Sequence, residues 1–392
     1  MKEKTDCYIT ETYKRFPVEF VRGKGVYLYD NMGKKYLDCL SGIAVNALGY
    51  SNEKLLDIMK HWNGKPLHLS NLFYSKEQGN LAEAIIEESF KGKVFFSNSG
   101  TEANEAAFKL ARKYSFKRYG KTERYEIITM ENSFHGRTFA SMAATGQRKI
   151  KGDYAPHLQG FKHIKFNDYK ALFDSVSDKT CAVMIEVIQG EGGVIEADRE
   201  YLKKLKELCV ERDILFMVDE IQTGLGRTGK MFAYQHYDVE PDIFTLAKAL
   251  GGGLPLGCMV AKESIAGFFS PGDHASTFGG NLLACALGFE VINQLRGGII
   301  DNCKSSGAYF KERLLALKDK YDEIVDVRGR GLILGIEFKD EVSHLVEKCL
   351  NEGLIINCTA GKVIRFLPPL IITQDEIDEA LIIFENVLRT KD

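Results

Sequence analysis

One lysine stands apart from the other basic residues of the chain. In TLAKALGGGLPLG, Thr245 to Gly257, Lys248 sits among Ala247, Ala249 and Leu250, just before three consecutive glycines. A lysine present for solubility belongs on a charged helix face. Apolar neighbours instead disfavour the ammonium form and leave a nucleophilic amine near neutral pH. An imine-forming lysine needs such an amine. Taken alone, a lysine with its stem on apolar surface and its head in water accounts for the same residues. The weight therefore falls on its company.

Six other stretches carry residues of chemical interest. SNSGTEANEAAFKLA, Ser97 to Ala111, ends a strand and opens a helix at Glu102, with Ala103, Ala106, Ala107 and Leu110 at helical spacing. Free N–H groups at Gly100 and Thr101, with the helix dipole behind them, make a phosphate site, though a simple N-cap explains them too. ILFMVDEIQTGLGRTG, Ile214 to Gly229, sets Asp219 after five apolar residues, at the buried end of a strand. A carboxylate there requires a partner, and a protonated ring nitrogen is one; a turn aspartate is the alternative. ENSFHGRT, Glu131 to Thr138, offers Phe134 to stack on a planar ring and Arg137 to grip a carboxylate with its fork. IEVIQGEGG puts Glu191 in a glycine-rich loop after a strand, and HASTFGGN presents the hydroxyls of Ser276 and Thr277. IRFLPPL holds Arg365 between apolar neighbours, which points to a buried pair or an anionic ligand. Singly, a core phenylalanine, a surface arginine and a solvated loop glutamate are adequate explanations.

Two nucleotide motifs do not survive inspection. GLGRTG, Gly224 to Gly229, matches G-x-G-x-x-G, but Asp219 to Thr223 separate it from the strand it should follow directly. GLGRTGK resembles a P-loop, yet Met231 stands where a Mg²⁺-binding Ser or Thr is needed.

Composition narrows the class. The 392 residues, 45% hydrophobic and 27% charged, suit a globular protein of two or three domains. A net charge of −2 gives no broad basic field for nucleic acid or an anionic membrane. The nine cysteines are scattered, without a C-x-x-C pair, and the eight histidines show no close ligand spacing. No metal site or disulfide framework is expected, and a reducing cytoplasm suits free thiols. The N-terminal MKEKTDCYITETYKRF lacks an apolar signal core, and no long apolar run reads as a membrane span.

The elements that must position these residues read as an α/β protein. Strand-like runs at Val94–Phe96, Ile127–Met130, Ala182–Val187, Ile214–Val218 and Ile243–Leu246 alternate with helical patterns such as Ala103–Tyr114 and Glu200–Arg212. That alternation means a mostly parallel sheet, which binds ligands at the carboxyl ends of its strands. Residues 1–45 begin with a polar lead-in and a hairpin pattern expected to join a smaller domain. Residues 46–281 form the large domain, and residues 282–392 a C-terminal α+β domain with helices at 282–295, 305–318 and 374–388.

Assembled, the pieces fit one ligand: a phosphorylated, planar, nitrogen-containing aldehyde. Its phosphate falls to Gly100 and Thr101, its ring face to Phe134, its ring nitrogen to Asp219 and its aldehyde to Lys248. Pyridoxal 5′-phosphate is that molecule, an electron sink held by a lysine and by an acid at its pyridinium. The motifs NSGTEANE, FHGRT, QGEGG, DEIQTGLGRTG, AKALGGG, STFGGN and RFLPPL resemble, in order and spacing, those of class III (ornithine-type, subgroup II) aminotransferases of PLP fold type I. The resemblance covers nearly the whole chain.

It implies a large domain with a seven-stranded, mostly parallel sheet and a small domain built from both termini. It also implies that Lys248 holds the cofactor and moves the proton. Asp219 would keep the ring nitrogen protonated, and Gln222 would lie near the ring hydroxyl. Thr277 would reach the phosphate of the other subunit in a homodimer. Arg137, with Ser276 nearby, would take the substrate α-carboxylate. Glu191 would pair with Arg365 while the amino donor is bound and release it for glutamate or 2-oxoglutarate. The implied activity is ping-pong transfer of the distal amine of an ω-amino acid to 2-oxoglutarate. QGEGG and GIAVNALG resemble the branch that uses N2-acetyl-L-ornithine; ornithine, succinylornithine, succinyl-diaminopimelate and 4-aminobutyrate are the other donors of the family. A glutamate-semialdehyde aminomutase shares the fold and the lysine, but resembles this chain less around FHGRT and QGEGG.

Overall fold

Strands made of unbroken apolar runs must be covered on both faces, and helices provide that cover here. The computed structural model describes residues 2–120 and 123–390. Its central sheet has seven strands in the order Gly92–Ser97, Gly257–Lys262, Ile243–Leu246, Leu215–Asp219, Thr180–Ile185, Glu126–Met130, Phe161–Ile164. Gly257–Lys262 runs antiparallel to both its neighbours; the remaining pairings are parallel.

Side chains alternate across this sheet with the period of a strand. Leu215, Met217, Ala182, Met184 and Ile243 face the helix Gly100–Tyr119, whose Ala106, Ala107, Leu110 and Ala111 are small enough to let it lie close. Phe216, Val218, Val183, Ile185 and Phe244 face the opposite way, into a core shared with Leu202 and Leu205 of the helix Arg199–Glu211. The strand Leu215–Asp219 is buried throughout, and Asp219 itself is its last residue.

The helix also begins earlier than its apolar spacing indicates. Ser99, not Thr101, is the N-cap: its extended backbone turns the chain and its hydroxyl accepts the Glu102 N–H, so Gly100 and Thr101 fall inside the first turn. The strands Phe161–Ile164 and Gly257–Lys262 complete the sheet beyond the five runs read from the sequence.

The chain ends are joined by hydrogen bonding. Phe20–Lys24, Tyr27–Asp30 and Lys35–Asp38 form an antiparallel meander, and Leu354–Ile355 adds to its edge in parallel. A second sheet, ordered Ile324–Arg330, Ile333–Phe338, Val363–Phe366, Asn357–Thr359, carries Arg365. The helices Ile300–Lys320 and Gln374–Arg389 pack behind it through Phe310, Phe366 and Phe384. The stretch Leu282–Lys320 reaches a mean hydropathy of 1.2 in its most apolar window. Its Ala284, Cys285, Leu287, Val291 and Ile292 are core residues.

Two glycines on that stretch are there for close approach. At Gly288 a Cβ would come within 2.6 Å of the Leu250 carbonyl, so the missing side chain seats the helix Leu282–Gln294 on the turn that bears Lys248. At Gly307 a Cβ would meet the backbone of Gly331 at 2.3 Å. Gly307→Ala is therefore expected to destabilise the protein by about 1–3 kcal/mol, the usual range for overpacking. Chemical denaturation of the purified variant checks this; an unchanged midpoint would mean that the contact yields freely.

Candidate active site

The strands deliver their chemistry at one edge of the sheet. Leu215–Asp219 ends in Asp219, Ile243–Leu246 runs on to Lys248, and Thr180–Ile185 is followed directly by Glu186. Gly92–Ser97 leads into the capped helix, and Glu126–Met130 into the loop bearing Phe134 and Arg137. These carboxyl ends surround a cavity of about 470 Å³. Lys248, Asp219, Gly100, Thr101, Phe134, Arg137, Gln222 and Glu191 all line it. Arg365 enters from the C-terminal sheet and touches Glu191 and Gln222. Ser276 and Thr277 are not on the wall. The Ser276 hydroxyl accepts from Asn98 Nδ2 at 3.1 Å and from the Gly279 N–H at 3.0 Å, and Thr277 is exposed.

Lys248 occupies left-handed backbone, φ +50°, a conformation that non-glycine residues adopt only when their surroundings impose it. Burial brings its amine down to about 8, against the opposing pull of Glu191. A fraction of the amine is thus neutral and nucleophilic near physiological pH.

Asp219 accepts Asn104 Nδ2 and His135 Nδ1 on Oδ2, both at 2.8 Å, and the Ile221 N–H on Oδ1 at 3.0 Å. At the helix end, the Gly100 and Thr101 N–H groups have no acceptor among the described residues. A Cβ on Gly100 would strike Ile221 at 2.7 Å, and one on Gly136 the Thr101 hydroxyl at 2.3 Å. Glycine at both positions keeps the cradle tight.

Glu191 and Arg365 are paired, with Nη1 2.8 Å from Oε1. Gln222 bridges them, donating to Glu191 Oε1 at 3.3 Å and accepting from Arg365 Nη1 at 3.0 Å. Burial pushes the Glu191 carboxyl up, but the Arg365 and Lys248 charges and these hydrogen bonds outweigh it and hold it below the ordinary range. Arg365 is completely buried, and its Nη2 has no acceptor among the described residues. A buried guanidinium with a free donor is built to take a further anionic oxygen.

Four residues of this site went unnoticed in the motifs. Glu186 follows Cys181–Ile185 as Asp219 follows its own apolar run, the same signal one strand away. It lines the cavity and accepts the Phe134 N–H at 3.0 Å, and burial beside Asp219 pushes its carboxyl well above the usual range. Asn104, a fully buried polar side chain on the apolar face of its helix, sat unremarked within NSGTEANE. His135 lay within FHGRT, and Thr245 three residues before Lys248.

Amine, acid, unfilled N–H groups and aromatic face line one cavity, and that set of donors and acceptors fits a phosphorylated aldehyde with a basic ring nitrogen. The chain matches the class-III aminotransferase family model over residues 8–388 and belongs to that family. Class III aminotransferases depend on pyridoxal phosphate. Among curated relatives, it is 51% identical to the acetylornithine aminotransferase of Caldanaerobacter subterraneus subsp. tengcongensis, covering 97% of each chain. Among solved structures, it superposes on the N-acetylornithine aminotransferase of Stenotrophomonas maltophilia with a TM-score of 0.86 at 33% identity, covering 99% of this chain and 98% of the other. The ornithine aminotransferase of Toxoplasma gondii, solved with partial occupancy of PLP at its active site, gives 0.94 at 32% identity over 99% and 93%.

The neutral Lys248 amine is the form expected to take up pyridoxal phosphate in the cofactor-free protein. The rate of uptake is expected to rise with pH and level off above about 8. Stopped-flow absorbance across a pH series checks this; a rate flat from acid to alkaline pH would contradict it.

Proposed function

We propose that the chain is an N2-acetyl-L-ornithine:2-oxoglutarate aminotransferase, EC 2.6.1.11. It would yield N-acetyl-L-glutamate 5-semialdehyde and L-glutamate, a step of arginine biosynthesis. The observation that carries the reading is the convergence of a desolvated lysine and a three-times hydrogen-bonded aspartate on one cavity.

Pyridoxal phosphate, once bound, supplies the electron sink into which the amine-bearing carbon releases its electrons. Gly100 and Thr101 hold its phosphate with their N–H groups, Asp219 faces its ring nitrogen and Phe134 its ring plane. Lys248 gives the amine that retains the aldehyde. With the cofactor bound, Lys248 would be the base that takes the proton from the amine-bearing carbon and would deliver it to the carbon of the former aldehyde. Arg137, exposed at the cavity mouth, takes the α-carboxylate of the donor. A donor whose reacting end carries no carboxylate leaves the Glu191–Arg365 pair closed. 2-Oxoglutarate brings a carboxylate to that end, which replaces Glu191 on the Arg365 fork. Two substrates of different charge thereby use one cavity in turn.

Sequence similarity to the acetylornithine enzymes supports N2-acetyl-L-ornithine over free ornithine. A homodimer completes the reading. Leu72, Phe73, Tyr74 and Phe278 are exposed large apolar side chains on two segments tied together by Asn71, and Thr277 stands among them. That patch fits a second copy, whose phosphate site Thr277 would then reach. The scattered free cysteines suit the cytoplasm.

Lys248→Ala is expected to lower turnover by about four orders of magnitude or more; turnover near that of the unaltered enzyme would end the proposal. Arg365→Lys keeps the charge but loses the fork. It is expected to raise the KM for 2-oxoglutarate about tenfold while sparing the half-reaction with the amino donor, as single-turnover spectra would record. Equal losses in both half-reactions would remove the switch. In size-exclusion chromatography with light scattering the enzyme is expected at twice the 44.0 kDa chain mass.

A further inference from the structure

Asp219 does not hold its place unaided. Both side-chain donors it receives come to Oδ2, from Asn104 and His135. Oδ1 has only the Ile221 N–H and so retains a lone pair on a residue that lines the cavity. His135 is single-minded: Nδ1 meets Asp219, while Nε2 is buried with no partner among the described residues. Asn104 is the branching point. One Nδ2 hydrogen goes to Asp219 Oδ2 and the other to the His135 carbonyl, each at 2.8 Å. Its Oδ1 accepts the Thr245 hydroxyl at 2.8 Å.

The two Nδ2 bonds fix the amide. Reversed, Asn104 would point an oxygen at the Asp219 carboxylate and give the His135 carbonyl no donor. The three partners also lie on separate elements. Asn104 belongs to the helix whose first turn forms the phosphate cradle, and His135 to the loop of Phe134 and Arg137. Asp219 ends its strand, and Thr245 stands on the strand that runs on to Lys248. Asn104, His135 and Thr245 are all buried, so water cannot substitute for any of these bonds.

We propose that Asn104 is a positioning residue that locks Asp219 toward the ring nitrogen and couples the phosphate cradle to the elements bearing Asp219 and Lys248. It touches no reacting atom itself and acts through Asp219. The inference rests on the pyridoxal-phosphate reading above.

The test uses full-length Asn104→Leu and Asn104→Asp. Each is stripped of cofactor, titrated with pyridoxal phosphate for Kd, then followed by visible absorbance of the bound cofactor against pH. Asn104→Leu removes one of the two side-chain donors to Oδ2. It is expected to weaken cofactor binding about tenfold and to shift the absorbance midpoint by about one pH unit. Asn104→Asp keeps the shape but sets a second carboxylate against Asp219. Its loss of affinity is expected to be larger and to grow as pH rises. This variant carries the test if the leucine protein does not accumulate. Wild-type Kd and midpoint in both variants would overturn the proposal. So would a lower melting temperature with an unmoved midpoint, the mark of a merely structural role. Unaltered protein that takes up no pyridoxal phosphate would instead sink the aminotransferase reading, and this proposal with it.

Discussion

The structure depends on keeping an amine and a carboxylate at work in a cavity that has taken much of the water from both. Burying a charge without a partner is prohibitive, and burying it with the wrong partner neutralises it. Lys248 and Asp219 meet this constraint differently. Lys248 has no hydrogen-bond acceptor from the described residues, and burial lowers its amine to about 8. Asp219 is held by three donors, the side chains of Asn104 and His135 and the Ile221 N–H. One group is kept reactive by being left unpaired, the other kept in place by its donors.

The remaining ionisable groups follow from that arrangement. Asp219, Glu186 and Glu191 share the cavity wall with the one lysine amine. Three ionised carboxylates so close would repel one another and return Lys248 to its ammonium form. At Glu186, burial and the neighbouring Asp219 push the carboxyl well above the usual range, which disfavours a third charge. Glu191 avoids the repulsion by pairing with Arg365. The cavity thus holds a hydrogen-bonded carboxylate, a cation already paired with an anion, and an amine without a hydrogen-bond acceptor among the described residues. Asp219 and Arg365 reach the cavity from different sheets.

Close approach makes the geometry rigid. A left-handed lysine is a strained thing to build on. It is pinned between the sheet edge and the helix Leu282–Gln294, which lies against the Lys248 turn because Gly288 has no side chain. Glycines at 100 and 136 let the cradle close down on Ile221 and Thr101 in the same way. Movement is left to side chains at the mouth, where Arg137 is exposed.

Much of this was legible in the amino-acid order. Apolar strand runs gave the α/β class, because a strand covered on both faces has to be apolar along its length. An acid or lysine closing such a run, as at Asp219 and near Lys248, marks the strand end where these sheets bind ligands. Glu186 carries the same mark, closing the run Cys181–Ile185. The sequence by itself therefore determined the fold class and singled out eight residues that the cavity brings together, Lys248 and Asp219 among them. Only the tertiary structure decided that Asn104, His135 and Thr245 form one network beneath Asp219, that Arg365 arrives already paired, and that Ser276 and Thr277 lie off the wall. Those facts turn on contacts between residues tens to hundreds of positions apart. Local periodicity is blind to such contacts, because it reports which face a side chain takes and not what stands opposite.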